Sequence, residues 1–221
     1  MPFRLKKIKE RKAAATRSQQ ALEADIETNS LLRDLRADLI VLKGFDATAY
    51  KIAYKKERIN HYLPWVSGLI EGDSGLEDKI LQYMLVWSID IGDITHFLQI
   101  ANYMEKHQLQ PPFETKLPTF VSDNARDNIE SLSITDAESI AQFLDGKDVQ
   151  QNSHATFLRL LGEKILDDKE LDDLTTDDIS QAEKVSTYWH EAVKLKADIG
   201  IKKRLESLDK KLIELKAEPA E

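Results

Sequence analysis

The sequence predicts an all-α protein, in which helical hairpins surround a central three-helix block and a heptad-patterned helix closes the chain. Three observations carry this expectation. Apolar residues recur at spacings of three and four along most segments, the period of an amphipathic helix. Glycine and proline clusters fall between those segments, where a helix must stop. A chain of 221 residues with 42% hydrophobic content is long enough to bury a sizeable core.

Residues 1–18 carry Arg4, Lys6, Lys7, Lys9, Arg11, Lys12 and Arg17 against a single acid, Glu10. Phe3, Leu5 and Ile8 are too few to build a packed face, so this stretch is expected to be a flexible basic arm that orders on binding. From Ala21 to Lys43 the pattern becomes helical, and Leu32, Leu35, Leu39 and Leu42 follow a 3, 4, 3 spacing that reads as a seam for oligomer or partner contact. Gly44 suits the helix end, with Lys43 placed at the negative end of the dipole. A second helix is expected from about Ala47 to Asn60, studded with Lys51, Lys55, Lys56 and Arg58 and with Tyr50 and Tyr54 four apart. This pair reads either as a helix-turn-helix that contacts phosphates or as an ordinary glycine-linked hairpin.

The central block runs from Tyr62 to Pro112. Pro64 suits a first helical turn. Gly72-Asp73-Ser74-Gly75 ends that helix, and Leu76–Ile89 forms the next, with Ile80, Met84 and Trp87 on one face. After the turn at Asp90–Asp93, Ile94, Phe97, Leu98, Ala101 and Met104 mark a third helix that ends at His107. Pro111–Thr119 reads as a proline-interrupted connection. Shorter helices follow over Phe120–Leu132, over Ser133–Leu144 with a capping box at Thr135 and Glu138, and over Ala155–Leu166. Asp167–Asp178 holds seven carboxylates and one lysine, but lacks the glycine and terminal glutamate of a calcium loop, so a solvated acidic loop is expected. A helix over Gln181–Ile199 precedes the last one, where Ile201, Leu205, Leu208, Leu212 and Leu215 repeat at 4, 3, 4, 3. This second seam is also assigned to oligomer or partner contact. The eight glycines are all assigned to turns. The expected organisation is an arm (1–18), a candidate DNA-binding hairpin (19–61), a central helical body (62–199) and the heptad helix (200–221).

Charge is segregated. Residues 1–60 hold fourteen Lys/Arg and eight Asp/Glu, and the remainder hold seventeen and thirty-one, within a net charge of −8. A basic end on an acidic body favours local docking of a polyanion over coating by it, and a solvated basic tail is the bland alternative. The chain has no cysteine, which removes disulfides, thiolate metal sites and cysteine nucleophiles. No apolar run approaches the roughly 20 residues of a membrane span, and the start of the chain lacks a secretory apolar core. The five histidines show no helical metal-site spacing. Neither a phosphate-cradling glycine loop nor a serine nucleophile elbow is present. Neither catalytic nor metal-binding residues are assigned.

Three stretches together carry a family resemblance: LPWVSGLIE, the W-x-x-D-x-G-D-I turn of Trp87–Ile94, and the G-I-K-K-R-L run of Gly200–Leu205. The chain resembles the small terminase subunit of temperate contractile-tailed phages, a family labelled terminase endonuclease subunit. The resemblance implies recognition of viral cohesive-end double-stranded DNA in the host cytoplasm. It also implies assembly into a ring-like homo-oligomer and recruitment of the large ATPase subunit. Relatives often end in a basic tail where this chain ends AEPAE, which moves the expected DNA contact to the N-terminal arm together with Lys51, Lys55, Lys56 and Arg58. The family label keeps a second reading open, a nuclease using magnesium or manganese; otherwise no cofactor is expected. A third reading is a helical adaptor without DNA contact.

Overall fold

The computed structural model describes residues 30–167 and 169–217, and every regular element among them is helical. The helices are α1 (30–43), α2 (Thr48–Arg58), α3 (Leu63–Gly72), α4 (Lys79–Ile91) and α5 (Ile94–Lys106), then α6 (Leu117–Asp127), α7 (Ile134–Leu144), α8 (Gln151–Leu166), α9 (Ile179–Leu195) and α10 (Lys202–Ala217). Single 3-10 turns fall at Ile59–His61, Leu171–Asp173 and Thr176–Asp178. The expected helix from Ala21 is described from residue 30 onward; its first part lies outside the described residues.

α4 and α5 pack on each other as a hairpin and hold the first half together. Ile80, Met84 and Trp87 are buried as their spacing predicts, but so are Leu81, Leu85 and Ile89. A helix apolar on nearly every side is one with neighbours on nearly every side. α4 begins at Lys79 and not at Leu76, which is 63% exposed. The cause is Asp78: one carboxylate oxygen accepts from the Leu81 N–H at 2.9 Å and the other from the Trp65 indole at 3.2 Å. The aspartate thus fixes the helix start and ties α3 to α4. At the other end Gly92 takes a left-handed φ of 79° and Asp93 caps α5 through the His96 N–H, so the turn is two residues long.

Three local expectations are corrected. α6 starts at Leu117, inside the stretch assigned to a connection, because Pro118 sits in the first turn where its missing N–H is harmless. α7 is capped by Ser133, whose hydroxyl accepts from the Asp136 N–H at 3.0 Å, and not by Thr135. Two glycines lie in helix interiors and not in turns, Gly68 in α3 and Gly162 in α8, while Gly72 is the last residue of α3.

Gly162 organises the second half. A Cβ there would lie 2.1 Å from Nε1 of Trp189, so α8 and α9 approach through a slot that holds the indole. That nitrogen donates to the Arg159 carbonyl at 3.1 Å, and the Arg204 guanidinium of α10 lies 5.3 Å from the ring centre. α10 packs along α9, burying Ile201, Leu205, Leu208, Leu212 and Leu215. The buried hydrophobic residues form one contiguous cluster from Leu31 to Leu215.

Candidate nucleic-acid interface

α1 shows a buried stripe of Leu31, Leu35, Asp38 and Leu42, spaced 4, 3, 4. Leu35 and Leu42 of the expected seam are in it, while Leu32 and Leu39 are only half-buried at its edge. A carboxylate occupies the third place. Asp38 is 4% exposed and accepts from the Tyr54 hydroxyl at 2.7 Å, the Tyr62 hydroxyl at 2.5 Å and the Arg58 guanidinium at 3.0 Å. Burial opposes its ionisation, but donation from Tyr62, Tyr54 and Arg58 outweighs burial and holds the carboxyl below its ordinary range. The same node pushes the Tyr62 phenol upward, first through burial and then through its hydrogen bond to Asp38. His61 adds a link to Asp34 at 3.1 Å. Together these contacts clamp α1 onto α2 and the turn that follows it.

The clamp decides where the basic residues of the hairpin point. Lys51, Lys55 and Arg58 share a face by spacing, and that face turns toward the protein. Lys55 pairs with Asp90 of α4 and Arg58 with Asp38. Lys51 is half-buried, and Lys56 is exposed. By contrast the outer face of α1 presents Arg33, Arg36, Ile40 and Lys43, all exposed and spaced 3, 4, 3 opposite the buried stripe. From the sequence, Arg33 and Arg36 were not singled out, and Lys43 was noted only for its place at the helix end. The signal was the helical complement of the stripe Leu31–Leu42, which is obscured when only leucines define the seam. At the hairpin tip, Phe45 meets Tyr54 and Tyr50 in tilted ring contacts, with centroid distances of 5.8 and 6.2 Å, and Tyr50 is 66% exposed. Arg4, Lys6, Lys7, Lys9, Arg11, Lys12 and Arg17 lie outside the described residues.

The rest of the described residues offer little other chemistry. No group of three or more His, Cys, Asp or Glu there is placed to hold a metal ion. Within the acidic stretch before α9, Asp178 accepts from Lys169 at 2.7 Å and from the Thr175 N–H and hydroxyl at 3.0 Å each. Lys169 first, then Thr175, lowers that carboxyl to about 2. Ser186 and His190 both bond to Asp209, at 2.6 and 2.9 Å. The acid sits between the serine and the histidine, so the imidazole is not placed to take the serine proton as in a hydrolytic triad. No described helix is long and apolar enough to cross a membrane.

The family model described as phage small terminase subunit matches residues 32–156, from α1 into α8 and more than half of the chain. The chain is similar to the terminase endonuclease subunit of Escherichia phage P2, with 27% identity over 194 residues that cover 82% of this chain and 73% of that protein. It is also similar to the probable terminase endonuclease subunit of Haemophilus phage HP1 (strain HP1c1). That match has 30% identity over 92 residues, which cover 40% of this chain and 33% of the relative. No solved structure matches.

Proposed function

The chain belongs to the phage small terminase subunit family, whose role is in phage genome packaging, and we propose that it recognises the viral DNA for that process without cutting it. The observation that supports this is the solvent-facing row of Arg33, Arg36 and Lys43 on α1, held rigid by the Asp38 clamp. Such a row can follow a phosphate backbone, as a helix face of this length spans several phosphates. Exposed Lys56 on α2 adds a further cation beside the row, and the basic residues of the arm, Lys6, Lys7, Lys9, Arg11 and Lys12, neutralise further phosphates. Lys55 and Arg58 orient the hairpin and do not touch DNA.

Assembly into a homo-oligomer and recruitment of the large subunit belong to the same reading. Because the C-terminal seam is filled by α9, the surface that α10 offers a partner is its outer one, where Ile213 is 69% exposed. Native mass spectrometry at micromolar concentration is expected to show an oligomer, and a monomer alone would overturn that part.

DNA binding is tested by fluorescence anisotropy on a cohesive-end duplex over a range of salt. Each lost phosphate contact lowers the log–log salt slope by about 0.9, so R33A/R36A/K43A is expected to lower it by roughly 2.7. An unchanged affinity and slope would sink the assignment of α1. The printed names of the two relatives favour a second reading, that this chain cleaves DNA itself. Incubating the purified chain with cohesive-end DNA and magnesium or manganese decides it: cutting without the large subunit establishes the nuclease.

A further inference from the structure

A groove of about 820 Å³ runs between α7 and α9 over α8. Its floor is apolar, made by Ala141, Leu158 and the ring of Tyr188, and its rim carries three carboxylates, Glu138, Asp145 and Glu191, against one lysine, Lys194, with His190 beside them. Glu138 and Glu191 each meet a lysine, Lys184 at 2.7 Å and Lys194 at 3.2 Å, while Asp145 has no ion pair with a described residue. The Tyr188 hydroxyl has no hydrogen-bond partner among the described residues. Burial, and then Glu138, raises its pKa.

An apolar floor inside a rim where carboxylates outnumber the lysine, with Asp145 unpaired among the described residues, suits a basic segment with alternating apolar residues. Met1–Lys12 of this chain is such a segment: Phe3, Leu5 and Ile8 alternate with Arg4, Lys6, Lys7 and Lys9. Reach is not limiting. The 29 residues before α1 span up to about 95 Å when extended, beyond the roughly 45 Å diameter of a compact chain of this length.

We infer that this groove receives the chain's own N-terminal arm, so that the acidic body and the DNA compete for the same basic residues. The arm is then withheld until a polyanion displaces it. This extends the DNA-binding reading, but its first test needs no DNA, so the two can fail separately.

The absence of cysteine allows one spin label to be placed cleanly through P2C in the full chain. Selective loss of amide NMR signal at residues 138–145 and 187–194 is expected. That loss should disappear in K6E/K7E/K9E, in D145N/E191Q and in about 1 M salt, where the screening length is about 3 Å. The arm variant leaves the groove untouched, which guards against misfolding of the groove variant. No selective signal loss would overturn the inference, as would loss that persists in both variants. Signal loss seen only when spin-labelled chains are mixed with isotope-labelled ones would place the arm on a second copy, and would equally overturn it. Once docking is seen, D145N/E191Q is expected to bind duplex DNA several-fold more tightly than the parent chain.

Discussion

Asp38 shows how one side chain can decide the orientation of a surface. It replaces a leucine in the buried stripe of α1, and three donors from α2 and the residues beyond it converge on its oxygens. D38N keeps the volume but removes the charge that Arg58 and the two tyrosines face, and is expected to cost about 2 kcal/mol in urea unfolding. The sign of the pH dependence follows from the direction of its shift. Because the folded-state value lies below the unfolded one, the stabilisation is complete above about pH 4 and is lost as pH falls through the folded-state value. The stability gap between the parent chain and D38N should therefore be constant near neutrality and narrow in acid. A gap that widened in acid would contradict the clamp. Residues of this kind are the least legible in a sequence, since an aspartate between leucines reads as a solvent position until its partners, sixteen to twenty-four residues away, are brought to it.

At the scale of elements, the α8–α9 joint and α3 provide a matched pair of glycines. G162A forces the Trp189 indole out of its slot and is expected to destabilise the fold by about 3 kcal/mol, the upper end for overpacking. G68A adds a methyl group with nothing within 4 Å in an exposed helical position, and is expected to stabilise by about 0.5 to 1 kcal/mol. Chemical denaturation of both variants checks the contrast; equal effects would mean that the slot is loose. The helices themselves were largely legible. Apolar periodicity located α3, α5, α7 and α10 to within a few residues, because burial of one face imposes that period. Helix starts were less legible, because they depend on which of several nearby polar residues caps. Asp78 and Ser133 were chosen by contacts and spacing that periodicity does not encode. The same limit hid the outward row of α1: a basic residue counts as surface only once the buried stripe is placed correctly.

For the whole molecule, the contiguous core implies that its two halves stand or fall together. The three tryptophans make that testable by light. Trp87 is buried against Tyr62 in the first half, with ring centres 5.8 Å apart, whereas Trp189 is buried in the second half. W65F/W189F leaves only the first emitter and W65F/W87F only the second. If the core is one cooperative unit, the unfolding transition of each variant, followed by emission, should coincide with its own loss of helical circular dichroism. A mismatch would show halves that melt separately. The Gly162 slot also gives the second emitter an uncommon setting, an indole pressed on a helix backbone beneath a guanidinium. Its emission should lie to the blue of free tryptophan and shift red as soon as α9 lifts from α8, so that one chromophore reports the opening of one joint.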